Sequence, residues 1–184
     1  TDLLPAPPSG ANATPASCWA FCLRAAPWLS DLEAWRGTSP YTTVNIYFGG
    51  TNRACAQPNL TNEWVHAVTA RGWTLLPTYV GRQPSCVYGN PSDLFTEADA
   101  TEVGTADAAD AVEQARALGL LPGSALYADI EHYDRTDMSC RRAVLRYMTA
   151  WTTHLHEAGY LSGYYAHQAS GIRELADAYE APSV

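Results

Sequence analysis

Beyond residue 16, short β-branched or aromatic runs alternate with stretches whose apolar positions recur at helical spacing. Residues 19–23, 43–48, 73–80, 124–131 and 160–166 predict five strands. Between them, 30–35 predicts a short helix opened by the capping-box spacing of Ser30 and Glu33. A helix over 60–71 puts Leu60, Trp64, Val65 and Val68 on one face, and Gly72 closes it. Residues 81 to about 104 read as a long loop. Thr105 then caps a helix with Asp107 and Asp110 in its first turn, favourable at the positive end of the dipole. Its apolar face is Ala108, Ala111, Val112, Ala115 and Leu118. A long helix over 138–158 carries Val144, Met148, Trp151 and Leu155 on one stripe, and 171–179 starts a fifth helix.

Strands alternating with helices of this size imply parallel βαβ units with right-handed crossovers. Neither a dinucleotide-binding glycine fingerprint nor a P-loop is present, which favours a barrel over a nucleotide-binding open sheet. The expected fold is α/β, a TIM (β/α)8-type barrel truncated to about five β/α units, with an open doubly wound sheet as the alternative. Residues 1–16, rich in Pro, Ala, Ser and Asn, read as a linker or processed N-terminus. Residues 17–184 form the barrel domain, its C-terminal strands missing.

Charge then removes whole classes of partner. The net charge is −8 and only 16% of residues are charged, against 47% hydrophobic. Nucleic acid and anionic membranes need clustered Lys and Arg, so neither is expected. No apolar run of about eighteen residues suggests a membrane span. The five cysteines, Cys18, Cys22, Cys55, Cys86 and Cys140, show no CxxC or zinc-type spacing, so disulfides are expected and neither metal nor cofactor. Cys55 and Cys86, both in loops after predicted strands, are the first pair to consider. Together with the N-terminal segment they point to a secreted or envelope-associated protein.

The chemistry gathers on strand four. Alternation sends Leu126, Ala128 and Ile130 one way and Tyr127, Asp129 and Glu131 the other. The apolar set suits the helix layer, so the acidic set faces the barrel axis, with Glu131 at the C-terminal end where barrel enzymes place catalytic groups. Two carboxylates facing a partly dry cavity repel, so one holds its proton near neutrality, as acid-catalysed glycosidic cleavage needs. The same reasoning places Asn45, Tyr47, Tyr79 and Tyr165 beside Tyr127 around the mouth as sugar-binding residues. His132 and His167 lie near strand ends. Asp93, Glu97, Asp99 and Glu102 read as a solvated acidic loop.

Several segments, notably NRACAQPNLT and YADIE within residues 17–180, resemble an actinobacterial family of exported glycoside-hydrolase-like TIM barrels. That family is a domain of unknown function, distantly similar to the lysozymes of glycoside hydrolase family 25. The resemblance implies a barrel, export and a glycan or peptidoglycan substrate. It puts the strand-four acid pair of lysozyme-like families on Asp129 and Glu131, with Glu131 as proton donor and Asp129 positioning it or stabilising developing positive charge. On strand one, where the family has Phe-Asp-x-Cys, this chain has Cys22 at the Asp position and Arg24 at the Cys position. The two functions in view are a glycoside hydrolase acting on bacterial cell-wall polysaccharide and a non-catalytic glycan-binding or envelope-associated module on the same scaffold.

Overall fold

The computed structural model describes residues 19–22 and 25–180, so the 1–16 segment lies outside the described residues. In chain order the elements are β1 (Trp19–Cys22), α1 (Leu29–Thr38), β2 (Tyr41–Gly49), α2 (Asn62–Ala70), β3 (Thr74–Tyr79), β4 (Gln83–Pro84) and β5 (Leu94–Phe95). They continue with α3 (Ala100–Ala117), β6 (Ala125–Ile130), α4 (Met138–Glu157), β7 (Leu161–Ala166), a π-helical turn (Gln168–Ile172) and α5 (Arg173–Glu180).

β2, β3, β6 and β7 form a parallel sheet in that order, with β1 beside β2 at its outer edge. A doubly wound sheet reverses its strand order at a switch point. Here spatial order follows chain order throughout. The sheet is not closed, however: β1 and β7 stand at opposite edges, so the expected barrel closure is absent among the described residues.

The sheet buries one face against helices. Val44, Ile46, Phe48, Leu126, Ala128 and Ile130 meet Ala108, Ala111 and Val112 of α3 and Val144, Met148, Trp151 and Leu155 of α4 in one cluster. Each large aliphatic side chain removed from water there contributes roughly 1.5–3 kcal/mol. Trp64, Val65 and Val68 of α2 extend the same core. Gly72, at φ +79°, ends α2 in the left-handed conformation that a side chain would resist.

Helix starts differ from expectation. α1 begins at Leu29 without a side-chain cap, and Glu33 pairs instead with Arg71 at 2.8 Å, so Ser30 and Glu33 form no capping box. α2 starts after Thr61, whose hydroxyl accepts from Trp64 N at 3.2 Å, and leaves Leu60 outside. α3 starts at Ala100, five residues before Thr105. Thr105 therefore sits inside the helix and donates to Thr101 O. The turn before α3 is closed by Asp99, whose carboxylate accepts from Thr96 N and Oγ1 at 2.7 and 2.8 Å.

The disulfide joins Cys86 to Cys140, with Cα atoms 6.0 Å apart, and Cys55 is free. The expected Cys55–Cys86 pairing is thus replaced. The loop after β3 runs back across the start of α4 and brings Cys86 to Cys140, a partner that pattern along the chain does not reveal. Closing a loop of 54 residues contributes about 4 kcal/mol by restricting the unfolded chain. A disulfide is consistent with an extracellular protein. Among the described residues, no helix is long and apolar enough to cross a membrane.

Candidate active site

The register decides which side chains share the face opposite the helices. Asn45 pairs with Leu76, Tyr47 with Thr78, Thr78 with Tyr127, and Asp129 with Tyr165. Paired residues of neighbouring strands point to the same face. Asn45, Tyr47, Thr78, Tyr127, Asp129 and Tyr165 therefore lie together. Tyr79 does not: it pairs with Ala128, packs its ring on Phe48 and Trp151, and donates its hydroxyl to Asp110 of α3 at 2.6 Å. The expected facing of Tyr79 is off by one residue: Thr78 takes that face instead, and it is buried there.

At the C-terminal end of the sheet lies a cleft of about 290 Å³ lined by Tyr47, Asn52, Arg53, Ala54, Cys55, Val80, Asp129 and Glu131. Asp129 and Glu131 line it together with Tyr47. Asn45 is buried deeper in β2. Tyr127 packs its ring over Gly163 of β7, where a methyl group would collide with it. Tyr165 is exposed on the shared face but does not line the cleft. Cys22 is aligned with Asn45 in the backbone, and its side chain lies outside the described residues.

The two carboxyls differ in environment. Asp129 is 3% exposed, whereas Glu131 at the rim is exposed. Burial, and secondarily the neighbouring Glu131 charge, push the Asp129 carboxyl up to about 7. Each cause disfavours a second negative charge, so the buried member keeps its proton to near neutrality.

Asn52, Arg53, Ala54 and Cys55 were not legible as cleft residues by strand alternation, because they lie in a loop; Val80 closes the expected strand 73–80, where the parity that turned Tyr79 to the mouth turned Val80 away. Asn52 ties those loops together: its amide donates to Gly81 O and Asp93 O, each at 2.9 Å, and its carbonyl accepts from Ser92 N at 2.9 Å. Arg53 donates to Phe48 O at 3.1 Å, Gln57 accepts from Ala26 N at 2.7 Å, and Asn59 donates to Ala26 O at 3.0 Å. The polar residues of the NRACAQPNLT segment thus fix backbone around the cleft.

Outside the cleft, the rings of His132 and His167 stack with centroids 4.1 Å apart, and Tyr88 meets His132 edge-on. The acidic loop is only partly solvated. Glu97 binds Arg142 at 2.7 Å and Arg146 at 3.3 Å, and the Arg142 hydrogen bonds hold its carboxyl down at about 2. Among the described residues, no three His, Cys, Asp or Glu side chains gather where they could hold a metal ion.

The family model described as Rv2525c-like, glycoside hydrolase-like domain matches residues 33–183. The chain belongs to that family. No curated protein matches it. Among solved structures it is similar to an uncharacterized B. stearothermophilus protein, at 21% identity and a TM-score of 0.51. The alignment covers 74% of this chain and 54% of the other, so the chain spans about half the length of that protein. At this identity the likeness shows the fold alone.

Proposed function

We propose that this domain hydrolyses glycosidic bonds in bacterial cell-wall polysaccharide, in an exported protein whose sheet is the first part of a (β/α) barrel like that of the lysozyme-type hydrolases. The observation that carries the reading is a pair of carboxyls, one buried and proton-retaining, the other at the rim of the same cleft. Glu131 is the accessible member, so in its protonated form it meets the glycosidic oxygen and donates its own carboxyl proton there. The bond from the anomeric carbon to that oxygen then breaks, with Asp129 beneath positioning the acid. Water adds to the anomeric carbon and returns a proton to Glu131. Tyr47 offers a ring face for a sugar.

The second reading, a glycan-binding module without turnover, is favoured by Cys22, which stands where the family resemblance puts an Asp. Release of reducing ends from purified peptidoglycan and a glycan panel separates the two. The hydrolase reading expects turnover that disappears in Glu131→Gln while glycan binding persists. Binding without any release by the unaltered protein would leave only the module.

A further inference from the structure

The strand end that carries the acid pair has lost its main-chain neighbour on one side. β3 pairs with β6 only at Thr78–Tyr127 and Tyr79–Ala128. Beyond Tyr79 the chain turns toward β2: Val80 N donates to Gly49 O, and Val80 O accepts from Asn52 N, both at 3.0 Å. In a parallel ladder, a residue donates its N–H to the carbonyl before its opposite number and accepts from the N–H after it. Opposite Ile130, the two groups awaiting such a partner are the Asp129 carbonyl and the Glu131 N–H.

Gln83 supplies both. Its Nε2 donates to Asp129 O at 2.8 Å, and its Oε1 accepts from Glu131 N at 2.9 Å. A primary amide presents a donor and an acceptor side by side, as a strand residue does. Gln83 is 1% exposed, so these bonds are made away from water, and Nε2 also reaches Gly81 O at 3.3 Å. The residue is itself held in place. Its N–H donates to Asp93 O at 3.0 Å, and the adjacent Arg82 binds the buried Asp107 at 2.6 Å, which also accepts from the Tyr147 hydroxyl.

We propose that Gln83 is the positioning residue of the acid pair, its side-chain amide standing in for an absent strand residue and fixing the peptide planes on either side of Ile130. Its catalytic consequence rests on the hydrolase reading; its geometry does not. With those planes fixed, the Cα–Cβ directions of Asp129 and Glu131 are set relative to each other, and the strand end cannot open to admit water beneath Asp129.

The test compares Gln83→Met, which keeps length but makes neither bond, with Gln83→Asn, whose amide sits on a stem one methylene shorter and cannot reach the two groups. In both, the Glu131 amide is expected to exchange with solvent roughly tenfold faster or more, the effect of one lost hydrogen bond. The Asp129 carboxyl, followed by carbon NMR, is expected to titrate at lower pH than in the unaltered protein, with near-UV circular dichroism unchanged. In the unaltered protein the Gln83 side-chain amide protons should exchange slowly. A folded variant with unchanged Glu131 exchange and unchanged Asp129 titration overturns the proposal. So do rapidly exchanging Gln83 amide protons in the unaltered protein, a result that decides the matter even where both variants unfold. Where turnover is measured, kcat should fall about a hundredfold with KM nearly constant, the effect of a displacement of about 1 Å. Absence of turnover in the unaltered protein would sink the hydrolase reading and leave the exchange and titration results standing.

Discussion

Replacing Asp129 by Asn should make the protein more stable as pH rises, and by an amount the structure sets. The carboxyl ionises with a midpoint of about 7 in the folded protein, against an ordinary value of 3.8. Below pH 3.8 it is protonated whether the chain is folded or not, and stability does not depend on it. Between about 4 and 7 the unfolded chain releases the proton while the folded protein keeps it, so stability falls with rising pH. Above 7 both states are ionised and the full loss has accrued. A gap of about three pH units, at about 1.4 kcal/mol each, comes to about 4 kcal/mol. Asparagine has nearly the same shape and no charge, so Asp129→Asn escapes that loss. Its advantage over the unaltered protein should be near zero at pH 4 and grow to about 4 kcal/mol by pH 8. For a chain of this length that corresponds to a Tm difference of about 10 °C. Urea unfolding followed by tryptophan fluorescence from pH 4 to 9 reads it directly, and titrating groups remote from Asp129 cancel in the difference. A constant offset between the two proteins across that range would refute the assignment of a buried, proton-retaining Asp129.

Glu131→Gln, at an exposed position, should change stability by no more than about 0.5 kcal/mol, so loss of activity in it would not reflect unfolding. Cys86→Ser should cost about 4 kcal/mol in oxidising buffer, and a reductant should bring the unaltered protein down to the variant's urea midpoint. Asp107→Ala strips the partner from Arg82 and the Tyr147 hydroxyl, and should cost about 3 kcal/mol in the same unfolding measurement.

The order of strands and helices was legible because each sheet strand is a β-branched or aromatic run and each long helix carries a continuous apolar stripe. The acid pair was legible for a similar reason: Leu126, Ala128 and Ile130 declare which face of β6 meets the helices, and Asp129 and Glu131 follow. Tyr79 shows where such reasoning fails. β3 is buried on both faces near its end, so Thr78 and Tyr79 offer no polar contrast to set the parity; the register with Tyr127 and Ala128 sets it. The proton-retaining group also differs in kind from a rim acid. Depth singles out Asp129, and depth depends on the loops folded over the strand end. Gln83 lies in a two-residue strand too short for any period to show. Its role comes from Val80 turning away, an event of tertiary structure. The disulfide partner of Cys86 was hidden for the same reason; Glu33 pairs with the distant Arg71 rather than capping α1, and α3 starts after a Thr96–Asp99 turn upstream of Thr105.

The stretch from Asn52 to Asn59 spends its amides and guanidinium on main-chain carbonyls and amides of neighbouring turns. Such a stretch is held to its sequence by the frame, whatever reaction the frame carries. Descendants could therefore keep it intact while the two carboxyls drift to other residues, and ancestry and chemistry would part company. That stretch therefore speaks for the architecture alone, and the hydrolase reading rests on the pair on β6.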